Sequence, residues 1–294
     1  MIRVKNLTKE YSSRRGIFDL SFEIQDGEVF GLLGPRGSGK TTLFEILAGF
    51  ARQTQGTCML NGKIPGKNQS AIVRFTGCLA ERTALPEERT AMDYLRYIAG
   101  LRGVRNLERA LQVMRHFGIE TDQRIGKMRK GQRQMLALAC AMVHDPKILL
   151  LDEPDRHLDA LLQARLDALL LEEKARGTTI LVTSENYLDM ERVCDRIGLL
   201  RRGELVTLDD AASMRMSRKK TYLVIFQTEM EALRFLRENP GMKQIGANQV
   251  LMQVHGEILS CLQLLGKYQV AGFELMPQSL EEIFGHFYGG GAHA

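Results

Sequence analysis

"LLGPRGSGKTTLFEILAG", residues 32–49, decides how the rest of the chain is read. Gly34, Gly39, Lys40 and Thr41 fit the spacing Gly-x4-Gly-Lys-Thr. Before them stands "VFGLLG" (29–34), a continuous apolar run that suits a strand buried on both faces. After them "KTTLFEILAGF" (40–50) carries a helical pattern. A glycine-rich loop between a buried strand and a helix folds tightly, so its N–H groups converge on one point. The helix N-terminus adds its dipole and its unpaired donors, and the result is a phosphate cradle. Gly34, Pro35, Arg36, Gly37, Ser38, Gly39, Lys40, Thr41 and Thr42 are therefore candidate phosphate-binding residues. Lys40 can reach the outer phosphates of a nucleotide as a point charge. Thr41 can offer its hydroxyl to magnesium.

"ILLLDEP" (148–154) supplies what the loop lacks. A hydrophobic strand carries Asp152 to its carboxyl end, where open α/β sheets bind ligands. Asp152 can hold magnesium through water. Glu153 follows directly and can polarise an attacking water as a general base.

Outward from these motifs the first part of the chain alternates strand and helix patterns. "IRVKNLTKEY" and "IFDLSFEIQDGE" alternate apolar and polar residues, as antiparallel strands do. Residues 90–118 read as two helices, and "GQRQMLALACAMVH" as a third that stops before "DPK". "ALLQARLDALLLEEKARG" reads as an amphipathic helix, "TTILVTSE" as another buried strand, and "RIGLLRRGELVTLD" as a hairpin turning at Arg202 and Gly203. The expected fold is α/β, with helices on a mostly parallel sheet. From about residue 216 the order becomes strand, helix, two strands, helix, strand, then a closing helix in "SLEEIFGHFYG". That is a ferredoxin-like order and implies a small C-terminal α+β domain over 216–288. The tail 289–294, "GGGAHA" from Gly289 onward in essence, is expected to be disordered.

Bulk properties exclude several classes. The chain has 294 residues, 44% of them hydrophobic, which suffices for one or two sizeable cores. The net charge of +5 is spread thinly, apart from "RMSRKK" (215–220), so no nucleic-acid partner is expected. Five scattered cysteines without a CxxC pair indicate reduced thiols rather than zinc or disulfides. The chain opens on charged residues, unlike a signal peptide, and no run approaches the ~20 apolar residues that span a bilayer. If the protein works at a membrane, another chain supplies the spans.

These motifs resemble the nucleotide-binding subunit of ATP-binding cassette (ABC) transporters over residues 1 to about 215. The resemblance implies a P-loop ATPase core with an antiparallel β subdomain and a helical subdomain at about residues 82–145. It implies ATP and Mg2+ as cofactors. Tyr11 stands where the family stacks an aromatic ring on adenine. Glu81 stands where the family has a magnesium-touching glutamine, and a carboxylate can do the same. The family's signature LSGGQ is here "MRKGQ", Met128 to Gln132. In the family it covers the γ-phosphate bound to a second subunit. That makes Arg129, Lys130, Gly131 and Gln132 candidate nucleotide contacts, with two cations replacing a serine and a glycine. In "ILVTSENYLDMERVCDRI" Glu185 occupies the place of the family's switch histidine, and "DRHLD" (155–159) departs from the usual Thr/Ser-x-x-Leu-Asp. A carboxylate facing a γ-phosphate repels it unless protonated or bridged by magnesium.

The resemblance implies an ATPase subunit, paired with a second cassette and a membrane permease at the cytoplasmic face of a bacterial membrane. The ending is similar to single-cassette ATPases of exporters for drugs, peptides, ions or polymers. The changed signature and switch imply slow hydrolysis. They also leave open an ATP-sensing partner in a heterodimer, or a cassette ATPase without a transporter.

Overall fold

Three apolar runs set the frame. "VFGLL", "ILLLD" and "TILVTS" are buried at every position, and all three become strands of one sheet. A computed structural model of the chain describes residues 1–12, 15–217, 220–254 and 258–276. The closing helix and the disordered tail expected from the sequence lie outside these residues. Contacts divide the chain into two units, Met1–Ala211 and Ala212–Ala294.

The first unit opens with β1 (Ile2–Ser12), β2 (Arg15–Ile24) and β3 (Val29–Leu33), followed by α1 (Lys40–Leu47). Next come β4 (Gln55–Leu60), α2 (Gln69–Ile72) and β5 (Thr76–Leu79). Three helices follow: α3 (Ala91–Arg102), α4 (Glu108–His116) and α5 (Lys130–Ala141). β6 (Ile148–Asp152), α6 (Ala160–Ala175), β7 (Thr179–Ser184) and α7 (Tyr187–Val193) lead to the hairpin of β8 (Arg196–Arg201) and β9 (Glu204–Asp210). β1, β2 and β4 form an antiparallel sheet in the order β2-β1-β4. The main sheet runs β5-β6-β7-β3-β8-β9, parallel except for the β8–β9 pair. This is a P-loop α/β fold.

Between the sheets lies one apolar core. Leu20, Ile24, Leu32, Leu43, Ile46 and Leu150 are essentially inaccessible, and Phe22 stacks on Phe30 at 5.1 Å. Each such side chain contributes about 1.5–3 kcal/mol by leaving water. The helices α3 and α5 start and stop for local reasons. Thr90 caps α3 by accepting from Asp93 N at 3.1 Å, and Gly103 ends it at φ +67°. Gln132 reaches back from α5 to accept from Arg129 N at 3.0 Å. Arg109 of α4 is tied to Glu173 of α6, whose side chain is only 1% exposed. Thr178 also donates to Glu173, at 2.7 Å.

The second unit comprises α8 (Ala211–Ser217), which begins at the boundary, then β10 (Lys220–Phe226), α9 (Glu229–Glu238), β11 (Lys243–Gly246), β12 (Gln249–Val254), α10 (Ile258–Leu265) and β13 (Val270–Leu275). Its four strands are antiparallel in the order β11-β12-β10-β13. Val224, Phe226, Ala232, Phe235 and Val250 form its core, with the Tyr268 ring edge-on to Phe235 at 5.1 Å. Among the described residues no helix is long and apolar enough to cross a membrane.

Candidate active site

Strand register brings the sequence motifs together. In the parallel pairs Leu33 lies opposite Ser184, and Asp152 opposite Thr183. The loop from Gly34, the turn at Glu153 and the turn at Glu185 therefore leave the same carboxyl edge of neighbouring strands. A backbone bond from Gly34 N to Ser184 O, 3.3 Å, ties two of these turns directly.

The phosphate loop has room only for glycine at its two ends. A Cβ on Gly34 would lie 2.3 Å from Leu200 O, and one on Gly39 would lie 2.6 Å from Ile17 Cγ2. Gly39 also sits at φ +112°, where an L side chain is strained. Lys40 opens α1 and folds back over the loop. Its Nζ donates to Gly34 O at 2.6 Å and to Pro35 O at 3.1 Å. The same ammonium lies 3.3 Å from Glu153 Oε1 and 3.8 Å from Glu185 Oε1.

Asp152 is completely buried. Thr183 Oγ1 donates to its Oδ1 at 2.7 Å, while Oδ2 is buried with no hydrogen-bond partner. Burial pushes the Asp152 carboxyl above its usual range, opposed by the Thr183 and Thr41 hydroxyls and the Lys40 charge. Glu153 has φ +47°, a left-handed conformation rare for a side-chain-bearing residue. Two neighbours hold that turn: Glu153 N donates to Thr183 Oγ1 at 3.0 Å, and Gln134 Nε2 donates to Glu153 O at 2.8 Å. Burial raises the Glu153 carboxyl too; Lys40 pulls it down and Glu185 pushes it up.

A cavity of about 1140 Å³ opens at this edge. Tyr11, Arg36, Gly37, Gly39, Lys40, Thr41, Thr42, Glu81 and Glu153 line it, so it gathers half of the residues singled out in the sequence. Tyr11 is 56% exposed, with Lys9 Nζ 5.0 Å above its ring. Pro35 and Ser38 belong to the same loop, joined by a bond from Ser38 N to Pro35 O at 3.1 Å. Arg129, Lys130, Gly131 and Gln132 are not among the lining residues. They form the start of α5, where Arg129 and Lys130 are exposed and Gly131 is buried.

Three participants escaped sequence reasoning. Thr183 and Gln134 act through the backbone and carboxyl of the acidic turn. Arg156 lines the cavity, hydrogen-bonds Glu81 and lies 3.2 Å from Glu153 Oε2. A hydroxyl inside the apolar run "ILVTS" was the one available signal for Thr183.

Comparison with known proteins fits this geometry. A family model described as ABC transporter matches residues 17–156. An uncharacterized ABC transporter ATP-binding protein of Bacillus subtilis is 30% identical over 97% of this chain and 94% of its own length. The Nod factor export ATP-binding protein I of Sinorhizobium fredii is 30% identical over 96% of this chain and 84% of its own. A solved ATP-binding subunit of an ABC transporter superposes with a TM-score of 0.67 at 26% identity, covering 73% of this chain and 92% of that one.

Proposed function

The chain belongs to the ABC transporter family as an ATP-binding subunit with ATPase activity, and from that premise we propose that it energises export through a separate membrane permease. The observation that carries this reading is the meeting of Lys40, Asp152, Glu153 and Glu185 at one sheet edge.

The site residues take these roles. Backbone N–H groups of residues 34–42 cradle the phosphates, and Lys40 neutralises the outer ones. Tyr11 stacks on the base. The buried, unpartnered Asp152 Oδ2 fits a magnesium site, with Thr41 and Glu81 as further oxygen donors. Magnesium keeps several waters and needs few protein ligands. When bound, it supplies Lewis-acid polarisation of the outer phosphates. Glu153 draws a proton from the attacking water. Arg129, Lys130, Gly131 and Gln132 cover the terminal phosphate held by a second cassette, so that hydrolysis reopens the pair.

The permease places the chain at the cytoplasmic face of a bacterial membrane. A drug, peptide, ion or polymer is the cargo class, and a relative named for Nod factor export supports the outward direction. The strand order β11-β12-β10-β13 supports a ferredoxin-like second domain. Glu185, 3.8 Å from Lys40 where the family resemblance implies histidine, favours slow turnover and keeps the ATP-sensing heterodimer partner as a second reading.

Steady-state ATP hydrolysis tests the assignment. Wild type is expected to turn over slowly, Glu153→Gln to be inactive, and Glu185→His to be faster than wild type. An active Glu153→Gln variant overturns the role of the base. Copurification with a permease tests the partner.

A further inference from the structure

Arg156 sits three residues after Glu153, and its N–H donates back to Glu153 O at 3.2 Å. The turn so formed carries the guanidinium to the wall of the nucleotide cavity. There Nη1 bonds Glu81 Oε1 and approaches Glu153 Oε2 to 3.2 Å. Its side chain is 31% exposed, those of Glu81 and Glu153 21% and 11%. Across the same space Glu153 and Glu185 face the ammonium of Lys40. Glu81 and Glu153 thus line the cavity with Lys40, and Glu185 reaches the same ammonium. A terminal phosphate entering there meets like charge at close range, in a partly desolvated cleft where Coulomb terms are strong. Lys40 faces two of these carboxylates, and Arg15, Arg36 and Arg202 also line the cavity. Of these lining arginines, Arg156 is the one that ion-pairs with the acids, its Nη1 contacting Glu81 and Glu153 at once.

We propose that Arg156 is a specificity-determining residue: the counter-charge that lets this glutamate-lined mouth accept a nucleoside triphosphate in preference to a diphosphate. The inference rests on the phosphate-site reading above. A diphosphate would lack the outer phosphate that Lys40 draws toward these acids. Glu185 has no contact with Arg156 here but adds to the same negative field, so removing its charge should offset the loss of the arginine.

Calorimetric titration of the full chain with Mg2+ and either adenosine 5′-(β,γ-imido)triphosphate or ADP tests this. In Arg156→Gln the triphosphate analogue should bind about tenfold more weakly, with ADP changed by less than about threefold, as expected for loss of one partly desolvated charge interaction. Arg156→Lys should keep most of the preference. Arg156→Gln with Glu185→Gln should recover at least half of the lost triphosphate affinity on a logarithmic scale. Equal losses for both nucleotides, tighter triphosphate binding in Arg156→Gln, or no recovery in the double variant would overturn the proposal. Retained ADP binding shows that the variants fold. Lys40→Ala serves the underlying reading: if it leaves both affinities unchanged, the phosphate site itself is misassigned, whereas a loss there with an indifferent Arg156 sinks only the present inference.

Discussion

Replacing Thr183 by valine is the most direct probe of how the acidic turn is held. The two side chains have nearly the same shape, so no cavity forms at this fully buried position. Two bonds vanish. Asp152 loses the 2.7 Å donor to Oδ1, and its Oδ2 already has no partner. Glu153 N loses its 3.0 Å acceptor. A buried polar group stripped of its partner costs ~1–3 kcal/mol, with charged groups at the upper end, so the two together should cost about 3 kcal/mol. The pH dependence has a definite sign. The Thr183 bond lowers the Asp152 pKa, which burial has raised above its unfolded value. Without that bond the folded pKa climbs further and the folded state holds the proton more firmly. The deficit of Thr183→Val is therefore largest at neutral pH and shrinks as pH falls through the folded pKa. Urea denaturation followed by far-UV circular dichroism, at pH 7 and pH 5, measures both. Thr183→Ser, which keeps the hydroxyl, is the reference. A Thr183→Val midpoint equal to the serine variant's, or a deficit that grows on acidification, would refute the reasoning.

Three further outcomes are expected. Gly39→Ala should lower the melting temperature by an amount equivalent to ~1–3 kcal/mol and abolish nucleotide binding, because its Cβ meets Ile17 at 2.6 Å in a left-handed backbone; an unchanged melting curve would contradict the cramped loop. Arg109→Ala leaves the buried Glu173 with only Thr178 and the 3.4 Å Arg176 as partners and should destabilise by ~1–3 kcal/mol, read as a shift in urea midpoint, with Arg109→Lys intermediate. The acid limb of ATPase kcat/KM should lie above pH 4.5, since burial raises Glu153, and should move to lower pH in Glu185→Gln, since the Glu185 charge is among the causes that raise it; a limb that stays put or moves up argues against Glu153 as the base.

Much of the site was legible because its chemistry is local in sequence. Gly34 to Thr42 and Asp152–Glu153 each carry their own spacing and their own strand, and the three buried strands announce themselves by unbroken apolar runs. β5 was not legible: four residues beginning Thr-Gly offer no period to read. β4, "QGTCML", is a short strand that three exposed residues open, and α7 hides inside the switch segment, started by Asn186 accepting from Leu188 N at 3.0 Å. The supporting residues failed for another reason. Thr183 and Gln134 matter because register and a helix crossing bring them to Asp152 and Glu153 from 31 and 19 residues away. Arg156 looked like an irregular loop residue until its carboxylate partners, one of them 75 positions distant, were in place.

The parallel alignment of β6, β7 and β3 has a consequence for how such a protein can change over generations. The strands that lead into Gly34, Glu153 and Glu185 are paired up to Leu33, Asp152 and Ser184 by bonding that no side chain at 156 or 185 contributes to. Single-codon replacements at those two turns therefore change the charge beside Lys40 and Glu153 while the strand pairing keeps its register. Charge at the mouth of the site and the folding of its frame are thereby written in different residues.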